Sequence, residues 1–198
     1  MKLISTMLAL ALTSLTAQGA PRPGVADRPS ETLDPSSRIS SRVEKNASGG
    51  RTVIEQVLVE APVATVWDAY ATSEGWMAWA APVAEVDLRA GGSIRTNYDA
   101  SAKIGDPGTN VLHIVNFVPR RILTLRAELG DNWPEVMKHD AEHLMNIIVF
   151  DALPDDRTRI TSYGVGYGAS PEYEKLLGFF VEANKGLYER LIGYVEAE

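Results

Sequence analysis

The closing segment constrains the fold most. Ser170-Pro171-Glu172 brings together a hydroxyl, a proline and an acid in the order that opens a helix. The hydroxyl can accept from free amides, the proline's fixed φ suits the first turn, and the helix dipole favours the charge. Beyond it Tyr173, Leu176, Leu177, Phe180, Leu187, Leu191 and Tyr194 recur at helical spacing and draw one apolar stripe along a long helix. A stripe of this length has to be covered. The preceding chain reads mainly as strands, so the cover is a sheet.

The sheet starts at Arg51. "RTVIEQVLVEAP" puts Val53, Val57 and Val59 on one parity, with polar Glu55 among them, as in a half-buried strand. Pro62 then stands where a first helical turn tolerates it, and Val63, Val66, Trp67 and Tyr70 follow at helical spacing. Ser73 is placed to cap a second short helix, "EGWMAWA", carrying Trp76 and Trp79. Next come "VAEVDLRAGG", "SIRTNYD", "NVLHIVNFVP" and "RILTLRAEL", divided by Gly91-Gly92 and by a loop from Gly105 to Gly108. "MNIIVFDALPDDRTRITSYGVGYG" reads as a hairpin about Pro154-Asp155-Asp156. The class is α+β.

The N-terminal fifty residues have a different character. Lys2 and the apolar run "LISTMLALALTSLTA", followed by small Ala17, Gly19 and Ala20, read as a signal peptide over residues 1–20. The run is too short to span a bilayer as a mature helix, so no integral membrane segment is expected. Residues 21–50 are rich in Pro, Ser, Arg, Gly and Asp and read as a flexible leader, leaving 51–198 as the folded domain.

Composition then removes several function classes. A formal net charge of −7 opposes binding to a phosphate backbone, so no nucleic-acid partner is expected. The chain has no cysteine, hence no disulfide, thiolate metal site, cysteine nucleophile or lipoprotein anchor. "KHDAEHLMN" contains His139, Glu142 and His143 as H-x-x-E-H, the string of the inverted zinc metalloproteases. That chemistry needs both histidines on one helix face, yet Ile147 to Phe150 already read as a strand. The segment is therefore read as a polar loop without metal, and no cofactor is expected. No G-x-S-x-G elbow or dinucleotide-binding unit is present either.

"APVATVWDAYATSEGWMAWAAP", "VDLRAGG", "NFVPRRILTL", "DALPDDRTRITSYGVGYG" and the closing helix, in that order, resemble the SRPBCC (START-like, helix-grip) superfamily. Within it the chain resembles the branch named for homologues of the heat-shock-protein ATPase activator. The resemblance implies a curved antiparallel sheet wrapped around the long C-terminal helix, with two short helices after the first strand. It also implies a cavity between sheet and helix for an apolar molecule. Asp131 to Glu142 is an additional stretch between two strands, placed to act as a lid.

The reading that follows is an exported domain, periplasmic or secreted, binding a small hydrophobic or aromatic ligand. Trp76 and Trp79 are expected at the pocket mouth, Tyr98, Ile147 and Tyr163 as its wall, and Phe180 and Leu187 on the helix side. Two alternatives stand beside it. One is a protein-interaction or chaperone-like module; the other is an enzyme of cyclase, dehydratase or hydrolase type, which needs a buried titratable group in the cavity. Export is tested directly: protein recovered from the periplasm or medium is expected to begin between about residues 18 and 21. An intact Met1 on most of that material would overturn it.

Overall fold

The computed structural model describes residues 37–131 and 133–197. The elements run β1 (Ile39–Lys45), β2 (Arg51–Val59), α1 (Val63–Ala71), α2 (Ser73–Trp79), β3 (Val83–Val86), β4 (Ser93–Asn97), β5 (Asn110–Val118), β6 (Ile122–Ala127), α3 (Glu135–His139), β7 (Met145–Leu153), β8 (Arg157–Tyr167) and α4 (Glu172–Val195). The strands form one open, curved antiparallel sheet in the order β1-β2-β8-β7-β6-β5-β4-β3. After β2 the two short helices carry the chain to the far edge, and a meander returns it until β8 pairs with β2. The α+β helix-grip architecture implied by the resemblance is the one observed.

Alternation decides what each strand buries. Val53, Val57 and Val59 of β2, Ile160 of β8, Ile148 and Phe150 of β7, Leu123 and Leu125 of β6, Ile114 of β5 and Ile94 of β4 are all buried. They face α4, whose own buried stripe is Tyr173, Leu177, Phe180, Asn184, Leu187, Tyr188, Leu191 and Val195. Register irregularities between Arg51 and Val53 and between Ile114 and Asn116 add twist, which lets the sheet bend around the helix. The β7–β8 turn has Asp155 and Asp156 both at positive φ, 60° and 53°, the backbone of a tight hairpin matched to strand twist.

The leader expected over residues 21–50 is corrected at its C-terminal end. Ile39–Lys45 forms an edge strand in register with β2, from Ile39 opposite Val57 to Lys45 opposite Arg51. Its polar sequence is compatible with a strand because only backbone pairing on one side is required of an edge. Arg38 strengthens the anchorage: Nε donates to Leu58 O at 3.3 Å, and the guanidinium pairs with Glu196 just past α4. The expected signal segment, residues 1–20, lies outside the described residues, as do residues 21–36. No helix among the described residues is long and apolar enough to cross a membrane.

An aromatic cluster fixes the short helices to the sheet. Tyr70 of α1 lies 5.1 Å from Trp79 and 5.2 Å from Phe150 between ring centres, and Trp67 lies 5.5 Å from Phe150. Trp76 Nε1 donates to Tyr70 O at 2.8 Å and Trp79 Nε1 to Ala69 O at 2.9 Å, so both indoles are buried with their polar atoms satisfied. The cap of α2 is Thr72 rather than Ser73: Thr72 Oγ1 accepts from Gly75 N, while Ser73 Oγ accepts from Val86 N.

Gly75 sits where α2 meets the end of α1. A Cβ there would lie 2.6 Å from Asp68 O and 2.7 Å from Ala69 Cα, both backbone atoms that cannot swing aside. Gly75→Ala is therefore expected to destabilise by ~1–3 kcal/mol despite alanine's better helix propensity, measured by urea unfolding. An unchanged or raised midpoint would show that the two helices are not locked at this contact.

Candidate functional site

A cavity of about 40 Å³ lies between α4, α2 and the strands β4 to β6. Its wall includes Trp76, Trp79, Tyr98, Asn184, Leu187 and Tyr188, with Asn110 and Glu128 on the strand side. This is room for a few waters, far below the ~300–1,000 Å³ that surrounds a drug-sized ligand. The surface is mainly aromatic and aliphatic; Asn184 and Tyr188 bring polar atoms to it.

Behind those two residues stands a buried carboxyl. Glu55, 3% exposed, shares the inward parity of Val53 and Val57 and therefore points under α4. Asn184 Nδ2 donates to its Oε2 at 3.1 Å and the Tyr188 hydroxyl to the same oxygen at 3.2 Å. Ser162, opposite Glu55 on β8, donates to Asn146 Oδ1 at 2.7 Å and continues the polar patch along the sheet. Burial pushes the Glu55 carboxyl up to about 7, against the pull of its two hydrogen bonds. The same burial, with the Glu55 charge nearby, raises the Tyr70, Tyr167 and Tyr188 hydroxyls above the ordinary phenol range. Glu55 Oε1, Asn184 Oδ1 and Asn146 Nδ2 are buried and have no hydrogen-bond partner among the described residues.

The predicted site residues divide between the two faces of the sheet. Trp76, Trp79, Tyr98 and Leu187 line the cavity together. Ile147 and Tyr163 do not: they pair with each other across β7 and β8 on the parity opposite Asn146, Ile148 and Ser162, which places them on the outer face. Phe180 is buried in the core stripe of α4 but is not part of the cavity wall. These three are corrections to the expected wall. Their cause is register, since a one-residue offset exchanges the faces of a strand.

Glu55 and Asn184 are the candidate-site residues that the sequence reading missed. Each is a polar residue on an apolar stripe, Glu55 among the valines of β2 and Asn184 between Phe180 and Leu187 on α4. That pattern is visible in the sequence, and it marks a buried polar group that needs a partner.

The H-x-x-E-H stretch lies elsewhere. α3 ends at His139, and His143 follows in a turn, so the two histidines do not share a helix face. Both are exposed. Met137 is buried in the core, and the Tyr173 hydroxyl lies 2.8 Å from Asp140 Oδ2 and 3.0 Å from Val136 O. The stretch expected as a lid is thus fastened to the start of α4. Among the described residues no three His, Asp or Glu side chains converge as a metal site.

Glu55 makes stability depend on pH with a defined sign. Folded, it holds its proton more tightly than when unfolded, so its contribution is complete below about pH 4.5 and is lost as the pH rises through about 7. The full effect is on the order of 3 kcal/mol. Urea unfolding is expected to give lower stability at pH 8 than at pH 5.5, and Glu55→Gln is expected to flatten that difference. A slope unchanged by the substitution would mean that Glu55 is not the titrating group.

Comparison with known proteins agrees with this geometry. The family described as activator of Hsp90 ATPase homolog 1-like protein matches residues 60–196. A search of curated proteins gives no match. Among solved structures, protein MLL2253 from Mesorhizobium loti is 14% identical and covers 74% of this chain and 98% of its own, with a TM-score of 0.59. Ms6760 from Mycobacterium smegmatis is 16% identical over 80% of this chain and 98% of its own, with a TM-score of 0.56. The Aha1 dimer from Colwellia psychrerythraea is 11% identical over 71% of this chain and 95% of its own, with a TM-score of 0.52. At these identities the solved structures speak for the fold, and the family match extends from the last residues before α1 to the end of α4. The chain belongs to the family of activator of Hsp90 ATPase homolog 1-like proteins.

Proposed function

We propose that the protein is an exported binding domain for a small apolar or aromatic molecule, held in the cavity beside α4. One observation carries the reading: the cavity beside α4 is walled mainly by aromatic and aliphatic side chains, Trp76, Trp79, Tyr98 and Leu187 among them, with a few polar residues such as Asn110, Asn184 and Tyr188. A mainly apolar wall with a few polar residues is the arrangement by which pockets of this kind hold a guest, with apolar contact giving affinity and polar groups giving direction. Admission of a ring requires the wall to yield. Tyr98, half-buried at the end of β4 beside an exposed turn, is the residue placed to do so.

The enzyme alternative gains a titratable group in Glu55, yet Asn184 and Tyr188 stand between that carboxyl and the cavity. Glu55 is not in the wall, which favours binding over acid–base chemistry on a bound molecule. The protein-interaction alternative draws support from the modest volume and from exposed Met77, Val118 and Phe179.

Titration of an apolar fluorophore tests the proposal. Saturable binding is expected in the wild type, weakened by about 1–2 kcal/mol in Tyr98→Ala. Tyr163→Ala, on the outer face, is expected to leave binding unchanged. Loss of binding in Tyr163→Ala but not in Tyr98→Ala would place the site elsewhere. Absence of saturable binding to any apolar probe would leave the interaction reading in its place.

A further inference from the structure

An open sheet has two edges, and this one treats them differently. β3 is four residues long and follows Pro82, and a short strand behind a proline discourages further pairing. β1 is seven residues long, contains no proline and runs along β2 without a bulge. Its other side is unpaired among the described residues. β1 also lies outside the family match, which begins at residue 60.

The β1–β2 ladder fixes which backbone groups face the open side. Leu58 N donates to Arg38 O and Asn46 N to Gly50 O, each at 2.8 Å. Hydrogen-bonded pairs alternate along an antiparallel ladder, so the even-numbered residues of β1 turn their amides and carbonyls toward β2. Ser41, Val43 and Lys45 turn theirs outward, where they still need partners. The Ile39 carbonyl, also outward, accepts from Ser37 Oγ at 2.6 Å.

Side chains add a second pattern. Arg42 and Glu44 share one face, 3.2 Å apart, and Val43 between them points to the other face, 41% exposed. Consider a second β1 laid antiparallel against the first, with the two-fold axis at Val43. Val43 then meets Val43 of the second copy through both backbone hydrogen bonds, and Ser41 meets Lys45 on either side. Arg42 falls opposite Glu44 of the second copy, and Glu44 opposite its Arg42, at the positions where cross-strand side chains come closest.

Other centres fit less well. An axis at Arg42 or at Glu44 sets like charges against each other. An axis at Lys45 runs the pairing into the turn closed by Asn46 and Gly50. An axis at Ser41 needs Arg38 to face Glu44 of the second copy, yet Arg38 is already held by Leu58 O and Glu196.

We propose that β1 is a dimer seam, at which two copies of this chain pair antiparallel about an axis at Val43 and join their sheets into one. The backbone groups of Ser41, Val43 and Lys45 supply the affinity. The two Arg42–Glu44 pairs supply register and select a second copy over a strand of other sequence.

Sedimentation equilibrium of the full chain tests the seam. A reversible monomer–dimer equilibrium is expected, with the dimer weakened as salt rises to about 0.5 M. Val43→Pro removes an amide that faces away from β2, a position where an edge strand tolerates proline. It is expected to weaken association by about 10-fold or more while the melting temperature changes little. Arg42→Glu and Glu44→Arg are each expected to be monomeric alone and to associate when mixed, a rescue that a purely structural role of either residue would not give. If Val43→Pro does not fold, the mixing experiment still decides. A chain that stays monomeric up to about 1 mM overturns the proposal, whether its edge is bare or covered by the segment before Ser37. So does a dimer that Val43→Pro and both charge reversals leave intact.

Discussion

The structure depends on how a carboxyl group is kept inside it. Glu55 lies on the valine face of β2, beneath a helix more than a hundred residues further along the chain, and the helix supplies both of its hydrogen bonds. Taking a carboxylate from water into such surroundings is costly, and the rise of its pKa to about 7 records that cost. Asn184 and Tyr188 reduce it only when α4 docks in one rotation and one axial register. The polar contact therefore contributes specificity to a face whose apolar contacts alone would tolerate sliding.

The rest of the interior is arranged around this docking. α4 meets β1, β2, α1 and α2 most closely. The cavity lies between α4 and the strands β4 to β6. Tyr70 and the two tryptophans hold α1 and α2 against β7, with each indole hydrogen-bonded to the end of α1. These contacts brace the α2 side of the cavity wall. At the far end, Glu196 accepts from Glu60 N at 2.7 Å and pairs with Arg38, joining the end of α4 to β2 and β1. Both ends of the described chain thus meet at one edge of the sheet.

Family membership and cavity chemistry are separate matters here. The match to the activator family spans α1 to α4, and the solved structures agree with the fold. Neither speaks to what the cavity beside α4 holds, because one fold can host unrelated activities. Whatever specificity the protein has must come from the side chains that differ from a plain apolar lining, and Asn184 with Glu55 behind it is the chief departure.

Residue pattern alone determined the α+β class, the long closing helix, the two short helices with Trp76 and Trp79, and the hairpin at Pro154. Each of these rests on local periodicity, capping and turn chemistry, which act over a few residues. Edge strand β1 escaped that reading because Ser40, Ser41, Arg42 and Glu44 carry no apolar alternation; backbone pairing with β2 forms it. The placement of Tyr163 and Ile147 on the outer face escaped it as well, because parity toward the core depends on which residue opposes which across strands. Glu55 and Asn184 were each visible as a polar break in an apolar stripe. That the two breaks meet was decided by tertiary structure alone, since a hydrogen bond between residues 129 apart exists only once sheet and helix are docked.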